Sequence, residues 1–269
     1  MRFIHVAGLA GLLAAPLLAL QAPADTTLST IGSGYARNSV NAVIFRKNAL
    51  ATHGNTQYAA YYAADGTLML ASRTLGTDDW TVRATQHQGD VRDAHNSISL
   101  MADGAGVLHV AWNHHVDPLR YARGVAAGSL ALTDRLKMTG EETAVTYPEF
   151  YRQPDGGLLF FYRHGRSGDG DLVLNRYDVQ TETWSRVYTG LLDGEGQRNA
   201  YWQAAIDHAG TLHVSWVWRE TGDVATNHDI CYARSHDGGV TWERSDGTEQ
   251  PLPITAGNAE YAARIPQGS

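Results

Sequence analysis

The chain has 269 residues, enough for one large all-β domain or two small ones. Charged residues make up 18% and hydrophobic ones 43%, a globular composition that excludes a long disordered block. A net charge of -7 argues against wholesale binding to nucleic acid or acidic membranes, and a single cysteine, Cys231, excludes an intrachain disulfide framework. An anionic ligand would therefore need a local cluster of cations.

At the N-terminus, Arg2 precedes an apolar run from Val6 to Leu20, followed by Ala22-Pro23-Ala24, a small-x-small cleavage signature. This pattern predicts a secretory signal peptide over 1–24, because the run is too short for a membrane anchor. No cysteine follows it, which excludes a lipoprotein anchor. The working domain is expected to be 25–269, secreted or periplasmic. From Asp25 to Ser39 the chain is polar and reads as a leader.

Beyond that point helical periodicity is weak. Short runs rich in Val, Leu, Phe, Tyr and Trp alternate with Gly, Asp and Asn clusters, which is an all-β signature. Predicted strands include 40–46, 67–73, 158–163 and 211–219. Four segments superpose on a turn aspartate (Asp65, Asp103, Asp155 and Asp207), each followed by a strand that opens on Leu68, Leu108, Leu158 or Leu212. Repeats of about 40–50 residues with about four short strands are propeller blades, which bury their faces only against neighbours. The predicted fold is a β-propeller of four-stranded blades, four or five of them. That count suits a small propeller or part of a larger ring. A β-sandwich, the competing architecture, repeats less regularly. Ser235-His236-Asp237-Gly238-Gly239-Val240-Thr241-Trp242 fits the S-x-D-G-G-x-T-W Asp-box, read as a structural hairpin.

Residues shared between blades are expected to be structural. His109 and His213 occupy one slot, and Trp112, Tyr162 and Trp216 another. The position eight residues before each turn aspartate instead differs in every copy: Gln57, His95, Tyr147 and Asn199. These polar side chains, flanked by Tyr58, Asn96, Arg198 and Tyr201, should line the channel opening. The ends of the next strands supply a second ring with His115, Arg163, Trp218 and Arg219, and His114 is undecided. Aromatic faces, arginine forks and amides together suit an extended acidic carbohydrate. Neither ring holds paired carboxylates, which counts against an ordinary two-carboxylate glycosidase. Eliminating across a uronic acid needs a group to neutralise the carboxylate, a base and an acid. His95 and Tyr147 are the expected proton-transfer pair, with either order open. No cofactor is required on this reading. Asn227-His228-Asp229 with Cys231, and Ser167-Gly168-Asp169-Gly170-Asp171, are weak candidates for a structural ion, since neither has full ligand spacing.

The segments NSVNAVIFRKNALATHGNTQYAAYY, DAHNSISLMADGAGVLHVAWNHH, TYPEFYRQPDGGLLFFYRHGRSGDGDLVLNRYD and DGEGQRNAYWQA, with the Asp-box, resemble the BNR-repeat-containing family, which includes seven-bladed ulvan lyases. The resemblance implies a secreted polysaccharide lyase acting next to a uronic acid, with His and Tyr moving protons and Arg at the acid group. The matching positions are His95, His115, Tyr147 and Arg163, with Tyr201 a further match. A sialidase-like hydrolase and a non-catalytic carbohydrate-binding propeller are the alternatives.

Overall fold

The computed structural model describes residues 28–42 and 48–269. The predicted signal peptide lies outside the described residues, as do 43–47 of the predicted strand 40–46, whose first residues form a turn. Among the described residues no helix is long and apolar enough to cross a membrane.

The described chain is built from antiparallel sheets, taken in order. The first joins β1 (Leu50–His53), β2 (Thr56–Tyr62), β3 (Thr67–Thr74) and β4 (Thr81–Gln88). The second joins β5 (Ile98–Ala102), β6 (Leu108–Trp112) and β8 (Tyr121–Arg123). The third joins β9 (Val145–Arg152), β10 (Leu158–Arg166), β11 (Asp169–Asp178) and β12 (Thr183–Leu192), and β7 (His115–Asp117) adds to the free edge of β9. The fourth joins β13 (Asn199–Ile206), β14 (Leu212–Arg219), β15 (Asn227–Ser235) and β16 (Glu260–Ala263). Strands β1, β5 and β9 lie side by side, so the first three sheets stand as successive blades with their first strands together, and β13 of the fourth packs on β11 of the third.

The apolar residues fall into layers between blades. Tyr62, Leu68 and Leu70 pack with Leu100, Val110 and Trp112; Ala111 and Tyr121 pack with Phe150, Phe160 and Tyr162; Phe161, Leu172 and Leu174 pack with Trp202, Trp216 and Trp218. The shared Trp112, Tyr162 and Trp216 slot is thus inter-blade core, as expected.

The turn aspartates occupy two different positions. In every blade a glycine N–H closes the hairpin: Gly66 onto Ala63, Gly106 onto Asp103, Gly156 onto Gln153, and Gly210 onto Asp207. Asp103 and Asp207 therefore share one position, whereas Asp65 and Asp155 sit two residues later and cap Thr67 and Gly157. Counted from the glycine, Tyr147 corresponds to Tyr201 and not to Asn199. Both positions suit an aspartate because its carboxylate can accept from N–H groups two residues on.

At the earlier position the aspartate also serves a histidine. His109 Nε2 is 3.3 Å from Asp103 and its Nδ1 is 2.7 Å from the Tyr121 hydroxyl. His213 repeats this with Asp207 at 3.1 Å and Tyr232 at 2.7 Å. These are structural networks, as the shared slot suggests. In the Asp-box, Asp237 accepts from Val240 and Thr241, Ser235 Oγ accepts from Gly239, and the Trp242 indole donates to the Gly239 carbonyl at 3.0 Å.

Candidate active site

Two local features bring the site together at the seam between the second and third blades. After β6 the chain crosses to pair with β9, so that His115 stands opposite Thr146. The crossing places Asn113 at φ 65 and Val116 at φ 64, sparsely populated backbone for a non-glycine residue and strained for a β-branched one. Alternation along this segment separates the histidine pair. His115 points outward, while His114 is fully buried, accepts from the Arg120 N–H at 2.7 Å, and is pushed down to about 3, mainly by burial.

On β9 a bulge sets two residues, Tyr147 and Pro148, against one on β10. Tyr147 takes φ 56, again the left-handed region, directly before a proline. Strained backbone at both crossing points delivers the side chains that meet.

The His95 and His115 rings stack with centroids 4.1 Å apart and an interplanar angle of 18°. Asp93 joins them: its two oxygens lie 2.6 Å from His95 Nδ1 and 2.6 Å from His115 Nδ1. Tyr147 follows, its ring 6.0 Å from His95 and 5.9 Å from Tyr201. Arg163, on β10 opposite Thr146, places its guanidinium carbon 5.2 Å from the Tyr147 ring and 5.9 Å from that of Tyr201. The Tyr201 hydroxyl accepts from Arg163 at 3.3 Å and from Arg219 at 3.0 Å, and lies 3.1 Å from Ser167 Oγ. Burial opposes ionisation of Tyr201, but Ser167 and the two guanidiniums outweigh it and lower its pKa.

Arg163 is the unusual member. It is 2% exposed, its Nε has no hydrogen-bond partner, and no carboxylate pairs with it among the described residues. A buried guanidinium without an acid carries a desolvation penalty of several kcal/mol, and an anion delivered to it would relieve that penalty. Arg219 is better satisfied, donating also to the carbonyls of Gly222 and Asp223.

His95, His115, Tyr147, Arg163, Tyr201 and Arg219 thus form one group, and other predicted residues stand apart from it. Trp218 is fully buried in the layer between the third and fourth blades, because β14 alternates and Trp218 shares the inward face of Trp216. Asn199 is fully buried and holds the Gly168 N–H and the Ala200 carbonyl. Asn96 is buried, its amide on the Asp90 carbonyl at 2.9 Å. Arg198 is neutralised by Glu220 and Glu195. Gln57 accepts from Arg73 Nε at 2.8 Å, and β1 lies between its strand and the second blade. These five serve the scaffold.

Asp93 was missed, and its signal lies in the Asp-x-His spacing. An aspartate two residues before a histidine can cap its backbone N–H, here at 2.9 Å, and so face its ring. Asp93, His95 and His115 also bring three metal-ligating atoms within 4.8 Å of one another, the one such group among the described residues. The 2.6 Å separations suit hydrogen bonds better than a shared ion, whose tetrahedral ligands would sit about 3.3 Å apart. Of the ion candidates named from sequence, Cys231 is buried in the core with its thiol pushed up to about 12, mainly by burial. His228 is taken up by Glu220 at 2.7 Å and Asp229 at 3.0 Å. Asp171 caps the Gly194 N–H.

The successive antiparallel blades of three to five strands, the inter-blade layers and the Asp-box define a β-propeller. Within that class the chain belongs to the BNR repeat-containing family, which residues 56–269 match. Among curated proteins it is 28% identical over 157 residues to the long isoform of ulvan lyase from Pseudoalteromonas sp. (strain PLSV), covering 42% of this chain and 16% of that protein. It is 29% identical over 135 residues to the short isoform from Alteromonas sp. (strain LOR), covering 46% of this chain and 26% of that protein. The crystal structure of polysaccharide lyase Uly1 shares the fold with a TM-score of 0.70 at 19% identity, over 90% of this chain and 63% of that one. An ulvan lyase of family PL25 bound to GlcA(1-4)Rha3S shares it with a TM-score of 0.67 at 15% identity, over 82% and 59%. The chain therefore spans well under two thirds of its curated relatives.

Proposed function

We propose that the protein is a polysaccharide lyase that cleaves beside a uronic acid by β-elimination, with an ulvan-like polymer as substrate. The observation that carries this reading is Arg163, buried without an acid partner among the described residues and flanked by Tyr147 and Tyr201. A uronate carboxylate fits the missing counter-charge. Arg163, with Tyr201 and Arg219 behind it, would hold that carboxylate and stabilise the enolate-like charge that develops on it.

In the reaction the C5 proton leaves to a base, the C4–O4 bond breaks, the O4 oxygen takes a proton from an acid, and a C4–C5 double bond forms. His95 and Tyr147 lie next to each other and are the proposed proton-transfer pair, with His115 stacked on His95. Asp93 is the carboxylate of this group, and both its oxygens are engaged by histidines. A hydrolytic pair of carboxylates therefore has no support there. Likeness to ulvan lyases supports the polymer class, and the signal-like pattern of the N-terminal sequence supports action outside the cytoplasm. Incubation with ulvan separates the possibilities. Elimination yields new reducing ends together with unsaturated uronate; hydrolysis yields reducing ends alone, and a binding module yields neither. Reducing ends without unsaturation would overturn the proposal.

A further inference from the structure

Asp93 is placed where two imidazoles need an acceptor. Its Oδ1 accepts from the His95 backbone N–H at 2.9 Å and lies 2.6 Å from His95 Nδ1, while Oδ2 lies 2.6 Å from His115 Nδ1. An ionised carboxylate has no hydrogen to donate. Partial burial works against its charge, but the bonds from the His95 backbone and both imidazoles outweigh that and hold the Asp93 carboxyl at about 2. Each Nδ1 must then supply the hydrogen, and each Nε2 of a neutral ring is left with a lone pair.

The neighbouring charged groups do not compete for these nitrogens. Asp117 accepts from the His115 backbone N–H at 3.0 Å and pairs with Arg120 at 3.2 Å. Arg92 is bound to Asp90 at 2.7 Å. The Tyr147 ring lies with its centroid 6.0 Å from that of His95.

We infer that Asp93 is a positioning residue that fixes His95 and His115 together as Nδ1–H tautomers, so that their Nε2 atoms are the proton acceptors presented to the substrate. Its catalytic consequence rests on the elimination reading, whereas the tautomers are a property of the free protein. One carboxylate serves both rings, so a change at Asp93 reaches both. In Asp93→Asn the amide offers an acceptor on one side and a donor on the other. The ring facing the NH2 group can keep a hydrogen bond only by accepting at Nδ1, which moves its own hydrogen to Nε2.

The test is long-range 1H–15N NMR of the histidine-labelled whole protein in the neutral-imidazole range, assigned with His95→Gln and His115→Gln. Both rings are expected as Nδ1–H in the wild type, and at least one as Nε2–H in Asp93→Asn. On ulvan, Asp93→Asn should lower kcat by about 100- to 10,000-fold, in line with the loss when the orienting aspartate of a Ser-His-Asp triad is neutralised, with KM within about threefold. Nε2–H in either wild-type ring, or unchanged tautomers in Asp93→Asn, overturns the assignment. A chelator that shifts both Nδ1 resonances of the wild type also overturns it, since a metal would then hold those atoms. The wild-type spectrum decides even if Asp93→Asn does not fold. Correct tautomers support the role of Asp93 even where no polymer is cleaved, and that second result would count against the elimination reading alone.

Discussion

His95 and His115 stack at 4.1 Å although one precedes β5 and the other follows β6. What unites them is the crossing of β7 to the neighbouring blade, which turns two strand ends into one seam. The remaining site residues reach that seam along β9, β10, β13 and β14, and Arg163 lies at its most buried point.

Arg163→Met separates function from stability. An apolar side chain of similar length in place of an unpaired buried charge is commonly neutral or stabilising. The melting temperature should therefore hold or rise, while lyase activity falls by about 100-fold or more. A clear loss of stability would mean that the contacts of Arg163 with Tyr147 and Tyr201 outweigh the cost of its unpaired charge in the free protein.

The two Asp–His–Tyr networks allow an internal comparison. His109 is fully buried, sealed by Phe150, Tyr177 and Trp184 of the third blade, whereas the His213 side chain is 34% exposed. His109→Ala should cost about 2–4 kcal/mol, from lost packing and unpaired partners. His213→Ala should cost about 1 kcal/mol or less. Urea unfolding measures both, and equal costs would contradict this account of the repeat.

His228 gives the fold a pH dependence with a definite sign. Burial lowers its pKa, but the carboxylates of Glu220 and Asp229 outweigh that and raise it above the ordinary histidine value. The stabilisation is complete below the unfolded value of about 6.5 and is lost as pH rises through the folded one. The stability difference between wild type and His228→Asn should be greatest below about pH 6.5 and shrink as the pH rises above it. A constant difference would show that the ring is held by packing alone.

The propeller was legible because leucine-led strands and hairpin turns recur, and a blade must bury both faces. Superposing the aspartates was less sound, since a carboxylate can cap the turn from either of two positions. That two-residue offset paired Tyr147 with Asn199 when Tyr201 is its counterpart. Trp218 was placed on the rim because it stands at the end of its strand, beside Arg219. Period-two alternation sends it inward with Trp216, and the wet face belongs to Val217 and Arg219. His95 and His115 stood out because the sister blades carry other residues there. Asp93 did not, because a carboxylate shared between two distant histidines becomes visible only once β7 has crossed between blades. That no acid among the described residues pairs with Arg163 is likewise a three-dimensional fact.

The most direct test is the ultraviolet absorbance of ulvan incubated with the whole protein, beside His95→Ala. The account predicts a steady rise from unsaturated uronate in the wild type, and a loss of about 100-fold or more in a His95→Ala protein that melts at the wild-type temperature. No rise on ulvan or any other uronate polymer, or a His95→Ala protein as active as the wild type, would contradict it.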